Sequence, residues 1–316
     1  MRIENLNDIN IKVSKRVIDS IEPLIQFIEK KKVSRQEFSY AVKDGWKMYN
    51  DFKIKEIKKG GKIKYRTVSS PEPLLKKVQK AVYPYLQSRI NFPDYIQAYA
   101  PGRSPVDMAK NLHGCEIIAH SDIKNFFGSI NEDDVKTALS TVFGISKNGT
   151  LAFNLARLST RKKVISMKKL KVSEVKSLEV LFDNVLVLKG SNKELTPESD
   201  INKDSLLTAY EFEKDSTEVP QGSCLSALYA NLVGQVFIDK NIIRVLNEIQ
   251  NDDIEYCKYF RFSDDIYIGF KLKDGSKDNV KSMEPVINNI LKECLLSITD
   301  TNYRLAAEKT YSMLNI

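Results

Sequence analysis

Apolar residues recur with helical spacing in the first third of the chain. They do so over residues 14–31, and Ser34 followed three residues later by Glu37 has the form of a capping box that starts a second helix. Further helices are predicted over residues 71–89, where Pro71 and Pro73 stand at the start, and over residues 223–246 and 279–297.

Alternating and continuous apolar runs predict strands in three places. Residues 52–57 and 63–68 alternate with period two on either side of Gly60-Gly61, which predicts a β-hairpin with a basic face. The apolar run at 115–119 leads into Asp122, and two further runs, at 256–262 and 266–270, flank Asp264-Asp265. These last two runs predict a second hairpin with a polar tip. The whole pattern predicts an α+β fold.

The composition of the chain narrows the classes of protein to which it belongs. Among its 316 residues, 42% are hydrophobic and 28% are charged, which excludes wholesale disorder. No stretch approaches the roughly 18 uninterrupted apolar residues of a membrane span. The first 15 residues lack the apolar core of a secretory signal. Four cysteines without a CxxC pair are interpreted as buried thiols in a reducing compartment, so we expect a cytoplasmic protein with no membrane partner.

The charge balance favours a polyanionic partner. Lys and Arg number 49 against 41 Asp and Glu, which gives a net charge of +8. The excess is concentrated at residues 53–66, within the first predicted hairpin. A solvated hairpin is the ordinary alternative for such a segment.

Three pairs of adjacent acids occur, and one of them differs from the others. Asp133-Asp134 follows Asn131 at a predicted helix start and Asp252-Asp253 lies in a polar loop, so both are interpreted as surface charge. Asp264-Asp265 is flanked by apolar and aromatic runs on both sides. Two carboxylates at the tip of a buried hairpin repel each other unless a cation is bound. This pair therefore predicts a metal site.

Asp122 supplies a further acid at a strand end. If its strand lies beside the Asp264 hairpin, the two carboxylates bracket two divalent ions, the arrangement used for in-line phosphoryl transfer. Ligation by oxygen alone favours Mg²⁺, with Mn²⁺ as a substitute. The segment 219–223 is a glycine turn that leads into a helix, and alone it is best interpreted as a helix N-cap.

Together these segments resemble the reverse transcriptase family. The resemblance runs in family order from about residue 52 to residue 316. The segments that carry it are Lys64-Tyr65-Arg66-Thr67-Val68, Ala98-Tyr99 with Gly102-Arg103-Ser104, Asp122-Ile123-Lys124-Asn125-Phe126-Phe127, Pro220-Gln221-Gly222-Ser223, Phe262-Ser263-Asp264-Asp265 and Glu308-Lys309-Thr310.

The resemblance implies a role for each matching residue. Asp122, Asp264 and Asp265 would form the metal-binding triad, with the Ile123 carbonyl as a further ligand and Asp265 as the weaker one. Lys64 and Arg66 would hold the incoming triphosphate. Phe127 would exclude a ribose 2′-hydroxyl, Gln221 and Gly222 would line the nucleotide and template, and Lys309 would neutralise or protonate the departing pyrophosphate.

The resemblance also implies a domain organisation. Residues 1–114 would form N-terminal helices and fingers, and residues 115–316 would form a right-hand polymerase palm, an antiparallel sheet with packed helices. The polar segment at 161–217, with one apolar run at 178–188 and a loop composition at 190–202, is interpreted as an insertion and a docking surface. The chain stops a few residues after Lys309, so no thumb is expected within it, and a protein partner, an oligomer, a non-coding RNA or further C-terminal sequence is expected to supply that function.

The departures from the family pattern indicate a particular branch. Phe262-Ser263 replaces the usual Tyr-Ala, and Ala227 stands where proline is common. With the insertion and the missing thumb, these features resemble the abortive-infection and defence-associated bacterial enzymes. We expect RNA-directed DNA synthesis from deoxynucleoside triphosphates, in defence against phage. The alternatives are a template-independent or protein-primed DNA polymerase, a retron enzyme, and an inactive scaffold that binds RNA or a partner.

Overall fold

The computed structural model describes residues 2–4, 6, 9–57, 61, 63–171, 187–190, 206–274 and 282–298. The strands are β1 (Arg2–Ile3), β2 (Lys12–Val13), β3 (Tyr49–Ile57), β4 (Ile63–Pro71), β5 (Ile90–Asn91), β6 (Ile117–Asp122), β7 (Arg161–Lys171), β8 (Val187–Gly190), β9 (Leu206–Glu218), β10 (Ile254–Phe262) and β11 (Asp265–Leu272). The α-helices are α1 (Glu22–Glu29), α2 (Arg35–Asp44), α3 (Pro73–Gln87), α4 (Pro105–Leu112), α5 (Phe126–Ser129), α6 (Glu132–Phe143), α7 (Thr150–Arg157), α8 (Cys224–Gly234), α9 (Lys240–Glu248) and α10 (Glu284–Ser297). A 3₁₀-helix spans Gly45–Lys47 and a π-helix spans Gln235–Asp239.

A four-stranded sheet carries the polar hairpin tip, in the strand order β1-β10-β11-β6. β11 is antiparallel to both β10 and β6, whereas β1 pairs with β10 in parallel. The sheet is therefore mixed, which corrects the wholly antiparallel sheet implied by the resemblance. The sequence does not predict the pairing of β1, because two residues carry no detectable period. The resemblance also assigns this segment to the N-terminal helices and fingers, and not to the palm that contains β10.

The two faces of this sheet differ because side chains alternate along each strand. On β11, Ile266 and Phe270 point to one face and are buried in the core. Asp265 and Tyr267 point to the opposite face and are half-buried, as is Asp122 in the register position opposite Asp265. The half-buried face is thus the polar one.

The helix α8 passes through the core. Its residues are mostly apolar with no exposed polar face, and they are buried along nearly the whole length, as expected for an interior helix. The π-helix Gln235–Asp239 joins it to α9, so one helical rod spans residues 224–248. The predicted helix at 223–246 is confirmed, although the π turn within it was not foreseen. Among the helices that the structure describes, none has both the length and the apolar composition needed to cross a membrane.

The first helix is shorter than predicted. The pattern predicts a helix over residues 14–31, but α1 begins at Glu22 and ends at Glu29. Pro23 occupies the first turn, where a missing N–H is tolerated, and a helix extended back to residue 14 would place this proline in its interior. The capping box of α2 is confirmed, since Ser34 and Glu37 each accept the other's backbone N–H.

The hairpin of β3 and β4 is confirmed, but its basic residues lie on both faces. Ile54 lies opposite Arg66 in the register. Because residues alternate sides and cross-strand partners share a side, Lys64 and Arg66 share the face of Ile54, while Lys53 and Lys55 lie on the other face. The prediction of a single basic face is therefore wrong, because the lysines of β3 pair with uncharged residues of β4 and the basic residues of β4 lie on the opposite face.

The Asp133-Asp134 pair lies at the start of α6, as predicted, but only one of the two is a surface charge. Asp133 pairs with Lys147 at 2.7 Å in an exposed ion pair. Asp134 is buried and forms a capping box with Asn131: the Asp134 N–H donates to Asn131 Oδ1 at 2.9 Å, and the Asn131 N–H donates to Asp134 Oδ2 at 3.1 Å. The interpretation of Asp134 as surface charge is therefore wrong.

The polar segment at 161–217 contributes a separate sheet. β9 pairs antiparallel with β7 on one side and with β8 on the other. At its base the buried Arg161 bridges Asp51 of β3 and Glu218 of β9, with N–O distances of 2.9 Å to each. Gly190 ends β8, and the rest of the predicted loop at 190–202 lies outside the described residues, as does most of the apolar run at 178–188.

Three of the four cysteines are buried, as predicted. Cys115, Cys257 and Cys294 are buried, whereas Cys224 is half-buried. Burial raises the pKa of Cys257 and of Cys294 to about 12. These two thiols are therefore protonated at neutral pH and poor nucleophiles.

Candidate functional site

The turn between β10 and β11 carries the Asp264-Asp265 pair. Phe262 pairs with Asp265, so Ser263 and Asp264 alone form the turn. Ser263 has a φ of +62°, a left-handed conformation that glycine usually takes at the first position of such turns. Holding a serine there costs on the order of 1 kcal/mol, and strain of this kind clusters at functional sites.

Asp122 ends β6 directly beside this turn. It lies opposite Asp265 in the register of β6 and β11. The Ile123 N–H donates to the Asp264 carbonyl oxygen at 2.8 Å, which joins the end of β6 to the turn. The structure thus brings together the three carboxylates that the sequence singled out.

A cleft of about 650 Å³ opens over these strand ends. The central sheet contributes acidic side chains to its lining, and the β3–β4 hairpin contributes basic ones. Of the residues proposed from sequence, those that line the cleft are Asp122, Ile123, Asp264, Asp265, Lys64, Arg66, Phe127 and Gln221. Gly222 adjoins Gln221, and Lys309 lies outside the described residues.

The acidic end of the cleft is electrostatically unfavourable for its own carboxylates. Burial raises the pKa of Asp264, and the neighbouring carboxylates of Asp265 and Asp122 raise it further. A bound cation would offset both effects, and donors that are all oxygen atoms suit a hard ion such as Mg²⁺.

The three carboxylates do not converge on one point. Within the part of the chain that the structure describes, no group of three His, Cys, Asp or Glu side chains is placed to hold a metal ion together. Asp265 is instead in contact with a histidine, His120. Asp122 and Asp264, with the Ile123 carbonyl, remain the oxygen donors that fit a divalent ion.

That histidine, His120, was not identified from the sequence. Its Nε2 lies 2.8 Å from Asp265 Oδ1, and its ring stacks on Tyr267 with 4.6 Å between the centroids and 25° between the planes. Burial and the nearby carboxylates of Asp265 and Asp264 raise the pKa of the Tyr267 phenol. The signal was available, since a residue two positions before Asp122 in a strand must share its face.

The basic wall of the cleft is formed by Lys64 and Arg66. Arg66 Nε lies 3.2 Å from Glu56 Oε1 on the neighbouring strand, and both side chains are partly exposed. An exposed ion pair of this kind contributes little to stability and is easily exchanged. The guanidinium is therefore able to leave Glu56 for an anionic ligand in the cleft.

The Gln221-Gly222 turn docks on the base of the hairpin. The Ser69 N–H donates to the Gln221 carbonyl oxygen at 2.8 Å. Gly222 has a φ of +142°, and a Cβ atom there would lie 2.4 Å from the Ser69 carbonyl oxygen. Ser223 then caps α8, accepting the N–H of Ser226, so the segment is both a helix cap and part of the cleft.

The two adjacent phenylalanines have different environments. Phe126 is 2% exposed and belongs to the core, whereas Phe127 is half-buried. Their rings meet edge to face, with 5.8 Å between the centroids. Phe127 is thus held in place by a core aromatic while its ring faces the cleft.

Unusual backbone conformations concentrate around this cleft. Lys32, Tyr99, Asn125 and Ser263 are the non-glycine residues with positive φ in the described ranges, and all but Lys32 line the cleft. Asn125 precedes α5, between Asp122 and Phe127. Because three of these four residues line one cleft, the strain supports its interpretation as the functional site.

Comparison with known proteins gives a distant likeness to a solved structure. No protein family matches the sequence, and no curated protein matches it. One solved structure that it resembles is telomerase from Candida albicans in complex with the TWJ fragment of telomeric RNA. The identity is 12% and the TM-score is 0.41; the alignment covers 96% of this chain and 50% of the telomerase chain. The chain therefore spans about half the length of that structure.

Proposed function

We propose that the chain is a metal-dependent nucleotidyltransferase of the reverse transcriptase type, which adds deoxynucleotides to a 3′-hydroxyl on an RNA template. The observation that carries the proposal is the cleft in which acidic strand ends of the sheet meet basic side chains of the hairpin. A nucleoside triphosphate bound with divalent ions requires both kinds of group within one site.

In the proposed reaction the 3′-oxygen attacks the α-phosphorus of the nucleotide and pyrophosphate leaves. Asp122 and Asp264 would hold Mg²⁺, which when bound supplies charge neutralisation at the attacking and leaving oxygens. Lys64 and Arg66 would bind the triphosphate, and the half-buried Phe127 would exclude a 2′-hydroxyl. Lys309 would act on the departing pyrophosphate, a role implied by the sequence resemblance alone.

The finer parts of the proposal rest on sequence motifs. The net charge of +8 is consistent with an RNA template or a non-coding RNA as partner. The bacterial defence-associated branch, the role against phage and the cytoplasmic location come from the Phe262-Ser263 departure, the insertion and the composition. A retron enzyme, a protein-primed polymerase and an inactive scaffold are the alternatives, and the following experiment separates the last two from templated DNA synthesis.

The test is nucleotide incorporation with Mg²⁺, supplied with each deoxynucleotide separately, with and without an added RNA template. The product is sequenced and examined for a covalent link to the protein. Template-matched DNA is expected. Untemplated product joined to the protein would favour the protein-primed alternative. Folded protein that gives no product with either Mg²⁺ or Mn²⁺ would favour the scaffold.

Replacing Phe127 with valine is expected to weaken selection against ribonucleotides. The smaller side chain leaves room for a 2′-hydroxyl, so the ratio of kcat/KM for a deoxynucleotide to that for the matching ribonucleotide should fall roughly 10- to 100-fold. The measurement is single-nucleotide extension with dGTP and GTP. Phe153, a partly exposed aromatic on α7, provides the control, and Phe153→Val should leave the ratio unchanged. An unchanged ratio in Phe127→Val would remove Phe127 from the nucleotide site.

Asp264 and Asp265 are expected to contribute unequally to metal affinity. Because Asp265 is turned towards His120, Asp265→Asn removes a neighbouring negative charge and not a direct ligand, so Mn²⁺ binding should weaken about 10-fold. Asp264→Asn removes a direct ligand and should weaken binding by more. Titration of free Mn²⁺ by electron paramagnetic resonance measures both variants. Equal losses would show that Asp265 leaves His120 and joins the metal.

A further inference from the structure

A fully buried arginine stands directly behind the turn that carries Asp264. Arg261, near the end of β10, has a side chain that is 0% exposed. A guanidinium remains charged inside a protein, and its burial is strongly unfavourable unless its N–H groups find partners. The partners of Arg261 therefore indicate its structural role.

The partners of Arg261 belong to three separate segments. It forms a two-point ion pair with Asp239, with Nε–Oδ1 at 2.7 Å and Nη2–Oδ2 at 3.0 Å. Its Nη1 donates to the Ser263 carbonyl oxygen at 3.1 Å and to Asn231 Oδ1 at 3.3 Å, and its Nη2 also donates to the Asn231 carbonyl oxygen at 3.2 Å. One planar group thus joins α8, the π-helix and the turn.

The surrounding chain is shaped to fit this guanidinium. Asp239 is the last residue of the π-helix, a rare structure that is frequent at functional sites. Gly234 lies against the guanidinium, and a Cβ atom there would come within 2.6 Å of Arg261 Cζ. The Tyr259 hydroxyl donates to Asp239 Oδ1 at 2.7 Å and completes the binding of that carboxylate.

The contact with the turn is the one that bears on the candidate site. The Ser263 carbonyl oxygen accepts from Arg261, and the Asp264 carbonyl oxygen accepts from the Ile123 N–H. The backbone is therefore held on both sides of the Asp264 α-carbon. Ser263 is the strained residue of this turn, so its left-handed conformation has an identifiable anchor.

We propose that Arg261, anchored by Asp239, is a positioning residue that fixes the turn at Ser263 and thereby the placement of Asp264 relative to Asp122. This inference rests on the proposed function, because it concerns the geometry of the proposed metal site. Lysine cannot replace the arginine, since a single ammonium does not span a carboxylate and two carbonyl groups in one plane.

Two variants and one control test the proposal. Arg261→Lys keeps the charge and removes the planar fork. The double variant Arg261→Met with Asp239→Leu removes both charges together, a replacement that buried ion pairs often tolerate without loss of fold. Tyr259→Phe is the control, because it removes a hydrogen bond to Asp239 and leaves the contact between Arg261 and Ser263 in place. Tm, Mn²⁺ Kd, kcat and KM for the deoxynucleotide are measured for each.

Both Arg261 variants are expected to bind Mn²⁺ about 10- to 100-fold more weakly. Their kcat should fall by up to about 100-fold, the effect of a small misplacement of a reacting group, with KM for the deoxynucleotide unchanged. Tyr259→Phe should lower Tm while leaving Kd and kcat at the wild-type values. This separation distinguishes positioning from a general loosening of the core.

Wild-type Kd and kcat in a folded Arg261 variant would overturn the proposal. An equal loss in Tyr259→Phe would also overturn it, since a looser core would then account for the effect. The proposed function fails separately, if the wild-type protein binds no Mn²⁺ and incorporates no nucleotide. Amide hydrogen exchange of residues 262–266 then decides: faster exchange in Arg261→Lys supports the positioning role, and unchanged exchange overturns it.

Discussion

Replacing Asp122 with asparagine is expected to abolish nucleotide addition, lowering kcat by roughly 10³-fold or more. Asparagine keeps the size of the side chain but removes the charge that would hold a divalent ion. The fold should remain intact and become slightly more stable without metal, because the Asp122 carboxylate raises the pKa of Asp264 by repulsion. Single-turnover incorporation and thermal unfolding without divalent ions measure the two effects.

An exposed acid provides the matched control for this variant. Asp252 is exposed in the loop before β10, and Asp252→Asn makes the same chemical change there. It should leave both incorporation and Tm unchanged. Full activity in Asp122→Asn would show that the carboxylate at the end of β6 holds no catalytic ion, and the two-metal interpretation would have to be abandoned.

Replacing Gly222 with alanine is expected to lower both the stability and the activity of the protein. The added Cβ would lie 2.4 Å from the Ser69 carbonyl oxygen, a backbone atom that cannot move alone, and the φ of +142° is unfavourable for alanine. Strain and overpacking together should lower the free energy of unfolding by about 2–5 kcal/mol. Displacing Gln221 from Ser69 would also move the hairpin that carries Arg66, so KM for the nucleotide should rise.

Gly114→Ala is the control that separates the effect of backbone strain from that of the collision with the Ser69 carbonyl oxygen. Gly114 has a φ of +88°, and a Cβ atom there would meet nothing within 4 Å. Gly114→Ala should lower the free energy of unfolding by about 1 kcal/mol and leave KM unchanged. Urea unfolding and steady-state kinetics compare the two variants. If they lose equal stability, the backbone at Ser69 yields, and the close approach does not hold the hairpin in place.

The elements that the sequence predicts well are those with a local signal, either a hydrophobic period that continues over several residues or a short motif. The β3–β4 hairpin, the capping box at Ser34 and the hairpin around Asp264-Asp265 all have such local signals. The two residues of β1 have no period, and they pair with residues of β10 that are far away in the sequence, Ile3 with Cys257. The sequence pattern also does not show that the basic residues of β3 and β4 lie on opposite faces of the hairpin, because this depends on which residues pair across the turn.

The residues of the candidate site also differ in how well the sequence predicts them. Carboxylates at strand ends are visible in the sequence because an acid that interrupts an apolar run is conspicuous. His120 and Arg261 belong to the strands themselves, where a polar residue has the same appearance whether it faces solvent or a buried partner. Only tertiary pairing shows that His120 meets Asp265 and that Arg261 meets Asp239.

The hydrogen-bonded register of the acidic strand ends determines at which step, folding or cation binding, the chain loses the conformational entropy of assembling the site. Asp122 and Asp265 are cross-strand neighbours, and the Asp264 backbone is bonded to Ile123. The conformational entropy of gathering these carboxylates is therefore lost when the sheet folds, not when a cation arrives. Folding also fixes like charges side by side, so a cation that binds relieves repulsion without reorganising the chain. Cation binding and folding are thereby linked, and the free energy of unfolding should increase with the logarithm of the cation concentration above Kd.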